Sequence, residues 1–172
     1  MNGAHIHLLL NHFPIIGTII GFLVLVAGFV LKSTIIKRVG LGILVFTSII
    51  GIPAFLSGDK AEDVIEKLPG ISENIIKQHE EIAEVFIWLI GLTGIFSLIT
   101  LYMDLKEKSI NTILYYVVLA ITFVSIIVSK NVGTTGGEIR HPEIRNAETT
   151  KLANQPNKEE NESKEDEEHE KK

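Results

Sequence analysis

Histidines are the side chains of this sequence best suited to bind a metal ion or a cofactor, and most of them lie beside apolar stretches. Imidazole is a common ligand of haem iron, zinc and copper. Five of the six histidines precede the charged C-terminal sequence: His5, His7, His12, His79 and His141. The chain has no cysteine, which excludes thiolate-bound zinc, iron–sulfur clusters and covalently attached c-type haem.

The elements that must position these histidines are four long uncharged stretches, which give the chain a mean hydropathy of +0.30. A helix of about 20 residues crosses the roughly 30 Å hydrocarbon core of a bilayer. Within lipid only helices and closed barrels satisfy the backbone hydrogen bonds, and uninterrupted apolar runs fit helices. We therefore predict an all-α polytopic membrane protein, an up-down-up-down four-helix transmembrane bundle over residues 1–145. The predicted spans are about 12–31, 39–57, 82–103 and 109–130.

The distribution of Lys and Arg predicts the orientation of this bundle. The short loops at 32–38 and 104–108 contain five Lys or Arg residues, whereas the longer loop at 59–84 contains three, together with eight acids. Because cytoplasmic loops carry the excess of basic residues, the short loops are predicted to be cytoplasmic and both termini to lie outside. No Lys or Arg precedes the first apolar stretch, unlike in a cleaved signal peptide.

The long outer loop is predicted to be partly helical. Residues 59–68 place apolar side chains on one face at helical spacing, which predicts an amphipathic helix on the membrane surface. Pro69 and Gly70 end this helix. A second helix, capped by Ser72, should then continue into the third span, since no breaker follows.

The sequence after the fourth span changes character twice. Gly133, Gly136 and Gly137 permit tight turns directly after the span. Beyond them, residues 158–172 contain eight acids and four lysines. Such a composition cannot bury an apolar core, so we predict that residues 146–172 form a disordered acidic tail.

All five histidines of the membrane domain fall at the predicted outer face. The first and third spans both run inward from that face, so His12 and His79 are expected to point into one cavity from opposite sides. Two histidines on facing helices of an apolar bundle suit a six-coordinate b-type haem. The same face carries four further ligand-type side chains, the predicted residues of a divalent-metal site: His5, His7, His141 and Glu84. An interfacial or helix-capping role is the alternative for each histidine, and a structural salt bridge to the segment after the fourth span is the alternative for Glu84.

Four short motifs occur in a fixed order within residues 4–145, each next to a predicted span. They are His12-Phe13-Pro14-Ile15, Ser57-Gly58-Asp59, His79-Glu80-Glu81, and Gly136-Gly137-Glu138 followed by His141. By these motifs the chain resembles a family of small prokaryotic four-helix membrane proteins known as a domain of unknown function. The resemblance implies a four-helix fold in a prokaryotic cytoplasmic membrane, and it implies no reaction. Members often have His-Pro near the start, where this chain has His5-Ile6-His7.

Three functions remain open from the sequence. The leading hypothesis is a protein that binds haem b through His12 and His79 and passes electrons to or from quinone or an external redox protein. The alternatives are an outer-face divalent-metal binding protein and a cofactor-free structural or assembly subunit. No serine-hydrolase, zinc-protease or P-loop motif occurs, so an enzyme is not predicted. The net charge of −5 and the lack of a basic stripe exclude nucleic acid as a partner.

Overall fold

A computed structural model describes residues 3–106 and 112–155, and these residues form helices joined by short turns, without a strand. The helices are α1 (Gly3–Leu10), α2 (His12–Val30), α3 (Thr34–Leu56), α4 (Gly58–Ile65), α5 (Glu73–Leu105), α6 (Thr112–Arg140) and α7 (Ala147–Ala153), with a 3-10 turn at Pro142–Ile144. The predicted start of the fourth span at 109 and the acidic residues from 156 onward lie outside the described residues.

Among residues 3–106 and 112–155, four helical segments are long and apolar enough to cross a membrane, which confirms, for this part of the chain, the prediction of an all-helical fold with four such helices. The first segment joins α1 to α2, and the second joins α3 to α4. α5 and α6 are the other two. The predicted amphipathic helix is α4, and the predicted continuation of the outer loop into the third span is the unbroken helix α5.

The four segments form a ring in which α2 contacts α3, α3 contacts α5, α5 contacts α6, and α6 contacts α2. Gly21 faces Leu44 and Gly28 faces Lys37, so α2 and α3 meet in opposite chain order. Glycine permits these close approaches because a β-carbon would collide with the neighbouring helix. The reversed order recurs at the other three interfaces. Between α3 and α5, Ser48 meets Gly94 and Gly51 meets Ile90. Between α5 and α6, Thr93 meets Ser125 and His79 meets Thr135, and between α2 and α6, Phe22 meets Phe123 and Phe29 meets Tyr116.

The glycine-rich segment after the fourth span is helical rather than turned. α6 continues through Gly133, Gly136 and Gly137 to Arg140, where the sequence analysis expected tight turns. Glycine destabilises a helix by about 1 kcal/mol relative to alanine. A helix can nevertheless continue through a glycine where another segment packs closely against it. Gly136 supplies such an approach, because it lies against the ring of His79.

A short helix also occupies the start of the predicted tail. α7 falls within residues 146–172, which the sequence analysis expected to be disordered. Asn146 caps α7, because its Oδ1 accepts two backbone N–H groups of the first turn at 2.8 Å. Asn74 of α5 donates its side-chain amide to the carbonyl oxygen of Leu152 at 3.2 Å. A small apolar cluster lies at the contact: Ile75, Ile76, Ile139 and Ala153.

The two ends of the bundle are built differently. At one, which we call the Arg38 end, Arg38 pairs with the carboxylate of Asp104 and donates from Nη2 to its backbone oxygen at 3.1 Å. The amine of Lys37 lies 5.1 Å from the centre of the Phe29 ring and 5.2 Å from that of Tyr115. The main apolar cluster adjoins this end: Leu25, Leu41, Leu44, Tyr115 and Val118. The opposite end, the His79 end, encloses a cavity.

Candidate functional site

A cavity of about 790 Å³ lies at the His79 end and is lined by residues of α1 to α6. Its volume falls within the range of small-molecule and cofactor sites. Most of the predicted ligand side chains line it together: His7, His12, His79, His141 and Glu84. His5 is not among the lining residues, since residues two apart on helix α1 point to different faces. Apolar side chains form much of the wall: Leu8, Ile15, Phe55, Ile76, Phe86 and Ile90.

His7 is held by the junction between α3 and α4. Its Nδ1 lies 3.2 Å from the carbonyl oxygen of Ala54 and 3.3 Å from Ser57 Oγ, which itself donates to the Ala54 oxygen at 2.8 Å. A carbonyl oxygen can only accept, so Nδ1 of His7 carries the proton and donates it. In the neutral ring Nε2 then keeps its lone pair, as a ligand of a metal ion or haem iron must.

His79 is held in the same way by α6. Its Nδ1 lies 3.0 Å from Thr135 Oγ1. Thr135 donates its own proton to the carbonyl oxygen of Asn131 at 2.9 Å, so the hydroxyl oxygen accepts from His79 and leaves Nε2 with its lone pair. A β-carbon on Gly136 would lie 3.1 Å from His79 Cε1. The absence of a side chain at Gly136 therefore makes room for the imidazole.

Three imidazoles interact within the cavity. His7 and His79 lie close enough for their charges to interact, and so do His7 and His12. His12 lines the cavity from the first turn of α2, but it is exposed, whereas His7 and His79 are half-buried. Asn11 precedes α2 but makes no capping bond through its side chain, and its Oδ1 is buried without a hydrogen-bond partner.

Acidic residues outnumber basic residues among the side chains that line the cavity. Two are basic, Lys77 and Arg140. The carboxyl group of Glu62 on α4 is within hydrogen-bonding reach of that of Glu80 on α5. A hydrogen bond between two carboxyl groups requires a proton on one of them. Five acids line the cavity in all: Asp59, Glu62, Glu80, Glu81 and Glu84.

His141 lies at the exposed rim of the site. Its Nδ1 is 2.8 Å from Glu143 Oε1, and both side chains are more than half exposed. A hydrogen bond from its own backbone N–H, and next the one from His141, lower the pKa of the Glu143 carboxyl below its ordinary value. An exposed ion pair of this kind contributes little to stability.

The residues of the four sequence motifs surround the cavity with three exceptions. Ser57, whose hydroxyl lies 3.3 Å from His7 Nδ1, is not among the lining residues. Phe13 is exposed, and it is not among the lining residues. Glu138 is 3% exposed and lines a second, smaller cavity. The remaining motif residues line the large cavity beside the histidines: Pro14, Ile15, Gly58, Asp59, Glu80, Glu81, Gly136 and Gly137.

The two hydroxyl groups that orient His7 and His79 through hydrogen bonds were not predicted from the sequence. Ser57 and Thr135 each stand one residue before a motif glycine, Gly58 and Gly136, and that position was the available signal. The contact between the carboxyl groups of Glu62 and Glu80 left no such signal, because it joins helices that are distant from each other in the chain.

Within residues 3–106 and 112–155, no group of three or more His, Cys, Asp or Glu side chains is placed to hold a metal ion. No family model, curated protein or solved structure matches this chain. The site is therefore interpreted from its own geometry.

Proposed function

We propose that the chain is an integral protein of a prokaryotic cytoplasmic membrane, spanning it as an up-down-up-down bundle with both termini outside. The reversed order of contacts between neighbouring helices supports this arrangement. α5 has 33 residues and is about 50 Å long, whereas the hydrocarbon core is about 30 Å thick. The excess length at the His79 end projects from the outer face. The basic residues of the loop at 32–38 support a cytoplasmic Arg38 end.

The cavity at the His79 end binds haem b in this proposal. The observation that carries it is the shared geometry of His7 and His79, in which each Nδ1 donates to a protein oxygen and each Nε2 keeps its lone pair. The apolar side chains of the wall suit a porphyrin ring. Lys77 and Arg140 line the same cavity and suit its two propionate groups.

His79 and His7 are the residues that would hold the haem iron in the proposed site. The sequence pattern predicted His12 in the place of His7 because His12 opens the first span. His12 lines the same cavity, yet it is exposed, whereas hydrogen bonding to Ala54 and Ser57 orients His7. An oriented imidazole loses less conformational entropy on binding iron, which favours His7.

The proposed role is membrane electron transfer. When bound, haem b supplies one-electron transfer at its iron. The residues of this chain hold the ring, keep the Nδ1 protons of His7 and His79 in place, and exclude water with the apolar wall. Since the cavity lies at the proposed outer end, the electron partner is quinone or an external redox protein. The resemblance by four sequence motifs agrees with a membrane location and leaves this role open.

Visible absorption of the full chain, expressed with haem supply and purified in mild detergent, tests the proposal. Wild-type protein should show a Soret band and, after reduction, a sharp α-band. We expect His79→Ala to lose haem, His7→Ala to give a high-spin spectrum, and His12→Ala to keep the six-coordinate spectrum. Circular dichroism of each variant establishes that it has folded. Haem-free wild-type protein overturns the proposal, and a high-spin spectrum in His12→Ala alone assigns the second ligand to His12.

A divalent-metal site is the second proposed function, and the excess of acidic groups in the cavity favours it. Metal analysis of protein purified without chelators distinguishes it from haem binding. Zinc, copper or iron at one per chain, lost in His79→Ala and in Glu80→Gln, would support this function. Protein that retains neither haem nor metal would instead support a cofactor-free structural or assembly subunit.

A further inference from the structure

A second cavity, of about 240 Å³, is lined by residues of α5, of the end of α6 and of the segment that begins α7. Among the described residues that line it, every one except Ile82 carries an oxygen in its side chain, and none is Lys, Arg or His. Its chemistry is thus unlike that of the large cavity, which combines an apolar wall with imidazoles and charges of both signs.

Glu138 brings a negative charge to this small cavity. The side chain is 3% exposed, and its carboxylate accepts a hydrogen bond from Thr149 Oγ1 at 3.4 Å. Thr149 shares that proton with Asn146 Oδ1 at 3.2 Å, so the bond to Glu138 is weak. Arg145 donates to the backbone oxygen of Glu138 at 2.8 Å rather than to the carboxylate. A buried carboxylate compensated this weakly is costly unless a positive charge meets it.

Three neutral side chains of the same cavity also have oxygens that can accept, those of Gln78, Thr134 and Thr135. Gln78 Oε1 is buried without a hydrogen-bond partner. Thr134 directs its hydroxyl proton to the carbonyl oxygen of Lys130 at 3.0 Å, and Thr135 directs its proton to that of Asn131 at 2.9 Å. Since a hydroxyl has one proton, neither threonine can donate into the cavity at the same time. The two threonine hydroxyls and Gln78 Oε1 therefore offer lone pairs near the single carboxylate of this cavity.

We infer that this small cavity binds an alkali-metal cation through Glu138, Gln78 and neighbouring hydroxyl oxygens. Hard cations are bound by carboxylate, amide and hydroxyl oxygens, and one carboxylate balances one positive charge. The volume holds the ion with a few waters, at about 30 Å³ for each water. Because the lining residues come from α5, α6 and the α7 segment, the bound ion links the C-terminal helix to the bundle. This cavity shares no lining residue with the histidine cavity, and Thr135 of its wall accepts a hydrogen bond from His79.

Thermal unfolding of the purified full chain in detergent tests the inference, with N-methylglucamine chloride, NaCl, KCl or CaCl₂ compared at equal ionic strength. A cation that binds the folded chain raises its Tm in proportion to the logarithm of its concentration. We expect this rise with NaCl or KCl in wild-type protein, a flat response in Glu138→Gln, and a weakened rise in Gln78→Leu. Glu143→Gln, an exposed acid of the same C-terminal segment, should respond as wild type does.

Hydrogen exchange provides a second measurement that needs no variant. Protection of the α7 amides should increase with NaCl or KCl, because the ion holds α7 against α5 and α6. Equal Tm values and equal protection in all salts would show that the cavity holds only water and would overturn the inference. A response to CaCl₂ alone would also overturn it, since it would assign the site to a divalent ion.

Discussion

The charged groups at the Arg38 end and those at the His79 end of the bundle lie in different surroundings. At the Arg38 end the charges meet protein groups directly: Arg38 pairs with Asp104, and Lys37 lies over two aromatic rings. At the His79 end a cavity of about 790 Å³ remains among four histidines and five acids. Buried side-chain oxygens without a hydrogen-bond partner occur at both ends: Asn11 Oδ1 and Gln78 Oε1 at the His79 end, and Tyr115 Oη at the Arg38 end.

Residues at the Arg38 end bring the helices together, whereas residues at the His79 end leave a cavity between them. Gly28 and Gly40 at the Arg38 end face Lys37 and the backbone of Leu25, and they bring α2 and α3 together. Gly136 at the His79 end faces a histidine ring instead. The same residue type therefore serves helix packing at one end and positions an imidazole at the other. We expect substitutions at the Arg38 end to change stability and those at the His79 end to change binding.

The largest loss of stability is expected from Gly40→Ala. A β-carbon there would lie 2.8 Å from the backbone nitrogen of Leu25, and backbone cannot move aside as a flexible side chain can. Separation of α2 from α3 should lower the free energy of unfolding by about 1–3 kcal/mol. Unfolding by SDS titration in mild detergent, followed by circular dichroism, measures this loss.

Gly91→Ala is the matched control for Gly40→Ala. Gly91 faces open space, so the substitution keeps the change in helix propensity and adds no collision. We expect Gly91→Ala to be as stable as wild type or more so. Equal stability of the two variants would contradict the close contact between α2 and α3. The two glycines cannot be distinguished from the sequence alone, since both lie within apolar spans.

A smaller loss is expected from Asp104→Asn. The Asp104 carboxylate is 12% exposed and Arg38 is 35% exposed, so solvent screens the pair in part. Removal of the charge should lower the free energy of unfolding by about 1 kcal/mol, and the loss should shrink as salt is added. Glu143→Gln breaks the exposed pair with His141 and should leave the unfolding curve unchanged. A loss in Glu143→Gln as large as that in Asp104→Asn would contradict the contrast between the two ends.

The sequence predicted the helices where length and hydrophobicity decide. The predicted first span, 12–31, coincides with α2 (His12–Val30). A helix is expected for an uncharged run of that length because it satisfies its own backbone hydrogen bonds within lipid. α5 was predicted as continuous because no Pro or Gly interrupts the sequence between Ser72 and Gly91. These features are local, so one sequence suffices to predict them.

The features that escaped prediction depend on contacts between distant segments. The continuation of α6 through Gly136 depends on the neighbouring His79 ring, and the docking of α7 depends on Asn74 and the isoleucines beneath it. The sequence assigned His7 to the divalent-metal set and missed its link to Ala54, 47 residues away. Of the site, the gathering of histidines at one end could be predicted, whereas their hydrogen-bond partners could not.

The smallest change in stability, with a specific change in the site, is expected from Gly136→Ala. The new β-carbon would lie 3.1 Å from His79 Cε1, which a side chain relieves by a shift of a few tenths of an ångström. The free energy of unfolding should change by less than about 1 kcal/mol, because alanine also favours the helix.

The shift in Gly136→Ala should weaken the bond from His79 Nδ1 to Thr135 Oγ1, which is 3.0 Å long in the wild type. The nitrogen chemical shifts of His79, measured by NMR on protein labelled at histidine, report this change whether or not a cofactor is bound. Gly133→Ala is the control on the same helix, since its nearest neighbour, Ile15 Cδ1, would lie 4.0 Å from the added β-carbon. If the His79 nitrogens respond equally to both substitutions, Gly136 does not position the ring; if they respond to Gly136→Ala alone, the orientation of His79 depends on that one missing side chain.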